Sequence, residues 1–137
     1  MRRLLVRSYA LSMALLTACG SDSAVAPTKA NITGSWNLQT INGAPLPYVA
    51  QPSDPKIEIM SDQIVATAAG RFTRTIGVRL TDSTGVSTDN VTDGGSYVVT
   101  ESTAVFTFND GSKGTAVLGG DIFTVSEAGF EWIYRRQ

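Results

Sequence analysis

The amino-acid sequence predicts an all-β protein: an eight-stranded antiparallel up-and-down barrel that follows a signal segment and a flexible tether. Three observations favour this fold class. Beyond residue 31, no stretch of the sequence repeats its apolar residues with the period of a helix. Short runs of β-forming residues alternate there with turns rich in Gly, Asp, Asn and Ser. Most of these turns have two or three residues, and turns this short join antiparallel neighbours.

Eight strands are predicted in sequence order, the second of them bulged near Ser61-Asp62. They cover residues 34–43, 56–69, 71–82, 95–101, 103–109, 113–119, 121–127 and 130–136. Eight consecutive antiparallel strands in one small domain form either a closed barrel or a two-sheet sandwich. We favour the barrel because closure removes exposed edges, and eight strands enclose either packed side chains or one small ligand.

Alternation along the predicted strands indicates which side chains point inward. Apolar side chains share a face in five strands, although Arg74 interrupts the apolar face of the third. The inward residues are either the lining of a small apolar ligand site or the filling of the core. The candidate lining residues are Leu38, Phe72, Tyr97, Phe106 and Phe108.

Two further segments are predicted as long connections at the barrel mouth, where binding residues are often placed. Residues 81–95 carry Asp82, Asp89 and Asp93, but their spacing does not match a calcium-binding loop, so we expect a solvated loop. Residues 44–55 contain four prolines, which exclude a regular strand and favour an extended lid.

Composition argues against catalysis. The 137-residue chain has no histidine, so it lacks the commonest general base and transition-metal ligand. Lys56 and Lys113 have no serine partner at motif spacing. A carboxylate pair of Asp121 with Glu127 or Glu131 is left open, since the sequence does not give their separation. We therefore expect no enzymatic activity, no metal and no cofactor.

The first 18 residues follow the pattern of a secretory signal. Arg2, Arg3 and Arg7 precede the mostly apolar run of residues 8–16, and the small residues Thr17 and Ala18 come next. An apolar run of about nine residues is too short for a transmembrane helix, which needs about 20.

The stretch Leu16-Thr17-Ala18-Cys19, followed by Gly20, resembles a bacterial lipobox. This resemblance implies that residues 1–18 are removed, that the Cys19 sulfur carries a diacylglycerol, and that the new amino group is acylated. Residues 19–31 would then be an acylated cysteine with a flexible linker. Gly20 after the cysteine resembles lipoproteins of the outer membrane, so we expect a lipid-anchored protein on the periplasmic or surface face of the bacterial cell envelope.

Removal of the signal changes the charge of the chain. Without the three arginines, eight basic residues remain against twelve acidic ones, a net charge of −4 instead of −1. A mildly acidic domain without a basic cluster is not expected to bind nucleic acid.

Residues 32–47, ITGSWNLQTINGAPLP, resemble the opening of small lipocalin-like domains, with Gly34 and Trp36 forming the Gly-x-Trp of the first strand. The resemblance implies a lipocalin-like β-barrel over residues 32–137. It also implies that an arginine of the last strand, Arg135 or Arg136, packs across Trp36 and closes one end of the barrel. A guanidinium over an indole ring is an attractive contact.

Two functions from different classes follow from these patterns. The first is a noncatalytic lipoprotein that holds a small hydrophobic ligand inside the barrel or at its mouth. The second is an envelope structural or interaction protein, with a solid barrel core, whose loops bind another protein. The size of an internal cavity separates the two hypotheses.

The lipobox yields a direct test. Cys19→Ala should move the protein from the membrane fraction to the soluble fraction, because each buried acyl methylene contributes roughly 0.8 kcal/mol to membrane binding. Mass spectrometry of the membrane-extracted natural protein should find an acylated Cys19 as its first residue. An unmodified Cys19 in that fraction would contradict the prediction.

Overall fold

A computed structural model describes residues 29–137, so the predicted signal segment, Cys19 and most of the predicted linker lie outside the described residues. The described chain is built of ten antiparallel strands, and no helix in it is long and apolar enough to cross a membrane. The strands are β1 (Gly34–Ile41), β2 (Ala44–Pro45), β3 (Tyr48–Gln51), β4 (Lys56–Ala66), β5 (Arg71–Asp82), β6 (Gly85–Thr100), β7 (Thr103–Phe108), β8 (Lys113–Gly119), β9 (Ile122–Glu127) and β10 (Phe130–Arg136).

Strand β1 closes the barrel because it pairs with a neighbour on each side. Trp36 lies opposite Arg136 of β10 on one side and opposite Ile64 of β4 on the other. From β4 to β10 each strand pairs with the next along the chain. Together with β1 these seven strands form a closed ring of eight, which confirms the predicted antiparallel up-and-down barrel.

The pairing of β1 with β4 is short. It covers only residues 34–37 of β1, after which the two strands separate. Beyond that point β2 pairs with β1 and β3 pairs with β4, so residues 44–51 cross the gap between them. The predicted lid is therefore wrong in part: its prolines do not prevent two short strands, because β2 and β3 are edge strands that tolerate missing amide donors.

The predicted loop 81–95 is also wrong. Strand β5 runs to Asp82 and β6 begins at Gly85, and the two form one continuous ladder from Asp82 opposite Gly85 to Arg71 opposite Ser96. Residues 85–93 are exposed on both faces, so they have no apolar alternation, and their Ser, Thr, Asp and Asn residues have the composition of a turn. The predicted bulge in the second strand corresponds to a register shift between Ile59 and Ser61 of β4.

The two ends of the barrel differ. At one, here called the tether end, the chain enters beside the turns after β4, β6 and β8: the Ala30 amide donates to Glu101 (2.9 Å), and the Arg136 amide donates to Asp121 (2.9 Å). Because successive strands alternate in direction, the turns after β1, β5, β7 and β9 lie at the opposite end. There residues 85–93 of β6 pair with residues 74–82 of β5 and extend as a projection, called the arm.

Aromatic side chains form the centre of the barrel. The centre of the Phe123 ring lies 4.7 Å from the centres of both the Trp36 and the Tyr134 ring. Phe72 and Phe106 pack edge-on, with their ring centres 4.9 Å apart. All five rings are at most 3% exposed. Burial of a large apolar side chain contributes about 1.5–3 kcal/mol, so this cluster is a main source of stability.

Gly95 marks the place where β6 leaves the arm and enters the barrel. A Cβ atom on this residue would overlap the carbonyl oxygen of Thr107 on β7. Backbone atoms in a paired strand do not move aside easily, so Gly95→Ala should lower the free energy of unfolding by about 3 kcal/mol. Chemical denaturation measures the change.

A matched control is available on β8. At Gly119 the nearest atom to an added Cβ is 3.9 Å away, which is ordinary contact. Gly119→Ala should therefore change stability by less than about 1 kcal/mol. Equal effects of the two substitutions would show that the close approach at Gly95 is not what requires glycine.

Candidate functional site

The tether end is closed by Trp36 and Arg136. The Arg136 guanidinium lies 4.2 Å from the centre of the Trp36 ring. The indole nitrogen of Trp36 donates a hydrogen bond of 2.7 Å to the carbonyl of Ile32, which is itself buried. Arg136 also donates to the carbonyls of Thr33 and Asn31, the latter at 2.6 Å. The side chain thus ties the last strand to the segment that enters the barrel.

Of the two candidate arginines, only Arg136 is in contact with Trp36. Arg135 lies opposite Asn37 and is exposed. Gly34 belongs to the same arrangement: its φ is +128°, which favours glycine, and a Cβ there would lie 3.1 Å from the Arg136 guanidinium. Gly34, Trp36 and Arg136 therefore meet at one place.

The predicted lining residues are brought together inside the barrel, but they contact one another. Phe72 meets both Phe106 and Phe108 edge-on, at 4.9 and 5.1 Å, and Tyr97 lies 6.0 Å from Phe106. Leu38 is buried in the same core. The space left beside these rings is a cavity of about 10 Å³, lined mainly by Ile64, Arg74, Phe106, Phe108, Trp132 and Tyr134. A cavity needs about 10–15 Å³ to hold a single water molecule.

A buried polar cluster, which was not expected from the sequence, occupies the arm side of this interior. Arg74 donates two hydrogen bonds to Oδ2 of Asp62, at 2.9 and 2.6 Å, and the Tyr134 hydroxyl donates a third at 2.8 Å. The Asp62 side chain is fully buried, and that of Arg74 is 12% exposed. The Arg74 guanidinium also lies 5.0 Å from the centre of the Trp132 ring.

The electrostatics of this cluster favour a charged Arg74 guanidinium and a neutral Tyr134 phenol. Burial, together with the Asp62 charge, raises the pKa of Tyr134 well above its usual value, so the phenol stays neutral. Burial lowers the pKa of Arg74, but the hydrogen bond to Asp62 and nearby negative charge outweigh it and leave the pKa raised. The salt bridge between Arg74 and Asp62, with the Tyr134 hydroxyl bonded to the same carboxylate, joins β4, β5 and β10.

One signal in the sequence pointed to this cluster. Arg74 interrupts an apolar face, which is unusual for a strand that lines a core. Its partner Asp62 gave no such signal, because the register shift between Ile59 and Ser61 decides which side chains of β4 point inward. A bulge of this kind exchanges the two faces of a strand.

The carboxylates considered as catalytic or metal-binding groups are dispersed. Asp121 precedes β9 at the tether end, whereas Glu127 ends the same strand at the arm end, so six residues of strand separate them by roughly 20 Å. Asp82 accepts hydrogen bonds from the Thr84 amide and hydroxyl, which lower its pKa, and so belongs to the turn. Within residues 29–137 no three acidic side chains cluster as metal ligands would.

The contact between Arg136 and Trp36 can be tested by comparing the two arginines. Arg136→Met removes the cation from the indole and leaves two carbonyls without their donor, so it should destabilise the protein by about 1–3 kcal/mol. Arg135→Met removes the same charge from an exposed position and should change stability by less than about 0.5 kcal/mol. Thermal and denaturant unfolding of both variants measure the difference. Equal losses would contradict a closing function of Arg136.

Comparison with known proteins assigns no family to this chain. No protein-family model matches it. No curated protein matches it, and no solved structure does. The lipobox and the lipocalin-like opening therefore stay resemblances of short stretches, and the function is inferred from the residues and distances of the chain itself.

Proposed function

We propose that this protein is a membrane-tethered bacterial lipoprotein whose barrel is a noncatalytic protein-binding module of the cell envelope. Of the two functions expected from the sequence, this is the one with a solid core. The observation that carries it is the filled interior, where Phe72, Phe106 and Phe108 contact one another and leave about 10 Å³. A closely packed interior stabilises the barrel and leaves its outer surface as the place where another protein would bind.

A small hydrophobic ligand inside the barrel has weaker support. Sites for small molecules are usually already formed and have volumes of about 300–1,000 Å³. A ligand inside this barrel would have to displace the edge-on rings of Phe72 and Phe106, and the charged pair of Arg74 and Asp62 lies on the arm side of the same space. A ligand that entered from the arm side would have to separate this buried ion pair. A buried charge without its partner is strongly destabilising, so entry from that side is opposed.

The position of the tether supports a partner at the opposite end. The described chain begins at residue 29, beside the turns of the tether end. From Cys19, a linker of about ten residues would span at most roughly 35 Å when fully extended. The arm then projects away from the lipid anchor, where a soluble or membrane-bound partner can reach it without contacting the bilayer.

In-cell crosslinking tests this proposal. A photoreactive residue placed at Thr84, in the turn of the arm, should give one adduct of discrete higher mass after irradiation. The same residue at Ser102, an exposed turn position of the tether end, is the control and should give little. Native mass spectrometry of the extracted protein should show the acylated chain without a bound small molecule.

Two results would overturn the proposal. One is a small molecule bound at one per chain in the native mass spectrum, which would restore the ligand-binding hypothesis. The other is the absence of any adduct from Thr84 when the same photoreactive group in a known envelope complex reacts normally.

A further inference from the structure

We infer that the exposed edge of β6, residues 85–93, binds an extended basic segment of a partner protein as an added antiparallel or parallel strand. The inference rests on the proposed protein-binding function and names its site and the chemistry of the partner. Binding of this kind uses the main-chain groups of a sheet edge for affinity and the side chains that flank it for selection.

The edge is open because β6 has two different halves. Along its barrel half, residues 95–100 pair with β7. Along its arm half, residues 85–93 pair with β5 on one side, and within residues 29–137 no strand pairs with them on the other. Each of these nine residues is exposed.

The backbone direction along the edge follows from the residues beside it. The Gly94 carbonyl accepts a hydrogen bond from the Asn109 amide, so the main chain of Gly94 points away from β5. Register between β5 and β6 is unbroken from residue 85 to residue 96. Because strand residues alternate in direction, the main chains of Val86, Thr88, Asn90 and Thr92 also point outward. The Asn90 amide already donates to Asp89, so the amides that can pair with a partner strand are those of Val86, Thr88 and Thr92.

This edge is long in comparison with the other edges of the same sheet. Strands β2 and β3 have two and four residues, and a proline ends β2. Short strands and prolines are common ways to prevent edge-to-edge association. Residues 85–93 contain no proline, and nine residues are ample for a partner strand.

Charge identifies the partner. Between Arg79 and Lys113 the chain has five acidic residues and no basic one, whereas the rest of the sequence after residue 18 is nearly balanced. Two arginines of β5 lie opposite this edge, but Arg74 forms its salt bridge with Asp62 and Arg79 forms its salt bridge with Glu58. Two of the five acids, Asp89 and Asp93, lie on the open edge, and neither forms a salt bridge in the described part of the chain. A basic segment complements this edge, whereas a second copy of the chain would bring acid against acid.

The two carboxylates also select by position. One oxygen of Asp89 accepts the Asn90 amide (2.8 Å) and one oxygen of Asp93 accepts the Gly94 amide (2.6 Å), which leaves the second oxygen of each for a cation. Asp89, Val91 and Asp93 share a face of β6, and Val91 is 50% exposed. A complementary strand therefore carries basic residues four positions apart with an apolar residue between them.

Peptide binding to the full chain, purified in nonionic detergent, tests the inference. The probes are two blocked nine-residue peptides, KTVTKTVTK and its counterpart with Glu for each Lys. At low salt the basic peptide should bind and the acidic one should not, as measured by fluorescence anisotropy. Raising the salt to 0.5 M should weaken binding, because exposed charges are screened. Amide hydrogen exchange of Thr88 and Thr92 should slow in the complex.

Matched variants separate strand addition from general attraction. Asp89→Asn with Asp93→Asn keeps the local acceptors and should weaken binding about fivefold or more. Glu101→Gln with Glu131→Gln removes the same charge from exposed positions off the edge and should change binding less than twofold. Thr88→Pro removes an outward amide and should weaken binding at least tenfold, whereas Thr88→Val should keep it. Unfolding curves establish that each variant folds.

Three outcomes would overturn the inference: equal binding of both peptides, equal losses in the two charge-removal variants, or unchanged binding by a folded Thr88→Pro protein. Self-association of the natural chain at this edge, seen by size-exclusion chromatography, would assign the edge to a second copy instead. A discrete adduct from Thr84 with no peptide binding would leave the proposed function standing and remove only this inference.

Discussion

The structure depends on how little of β1 pairs with β4. The two strands pair only over residues 34–37 of β1. The barrel is therefore closed at the tether end, and β1 and β4 separate toward the opposite end. Within that stretch the Trp36 indole donates a hydrogen bond to the Ile32 carbonyl and packs against the Arg136 guanidinium. Beyond it, β4 has no β1 beside it and pairs with β3 instead. The same separation lets β5 and β6 continue past the barrel as the arm, with β4 paired beside β5, and this is why β6 has an edge without a neighbour.

The second constraint lies inside the barrel, where the shift at Ile59–Ser61 turns Asp62 inward. A buried carboxylate without a partner would be strongly destabilising, and Arg74 with Tyr134 supplies three donors to one of its oxygens. These three residues come from β4, β5 and β10, so the cluster connects both sides of the seam that β1 leaves open. The packed rings beside this cluster leave little space for a ligand, and its ion pair opposes an apolar one. For these two reasons we propose a protein partner instead of an internal ligand.

The barrel could be predicted from sequence because its strands are amphipathic and its turns are short. Eight strands and their order follow from local patterns, whereas the closing tryptophan is what the resemblance of residues 32–47 to lipocalin-like domains implies. Register does not: the shift between Leu38 and Thr40 determines how β1 meets β10, and it is not visible in the residues. Nor could the arm half of β6 be recognised, since a strand exposed on both faces has the composition of a loop. Asp62 was missed for a related reason, because one bulge reverses the face to which it belongs.

A lipid anchor changes what an open strand edge can do. An edge of nine residues offers only four outward-facing residues, and the net contribution of each main-chain hydrogen bond is about 0.5–1.5 kcal/mol. Binding by such an edge is weak between freely diffusing molecules, because association also costs their translational freedom. When both partners are held at one membrane, their effective concentration reaches roughly the millimolar range and weak pairing becomes sufficient. The proposed anchor and the proposed edge therefore support each other: tethering makes a weak basic-strand interaction useful, and the acidic side chains keep the crowded edges of neighbouring copies apart.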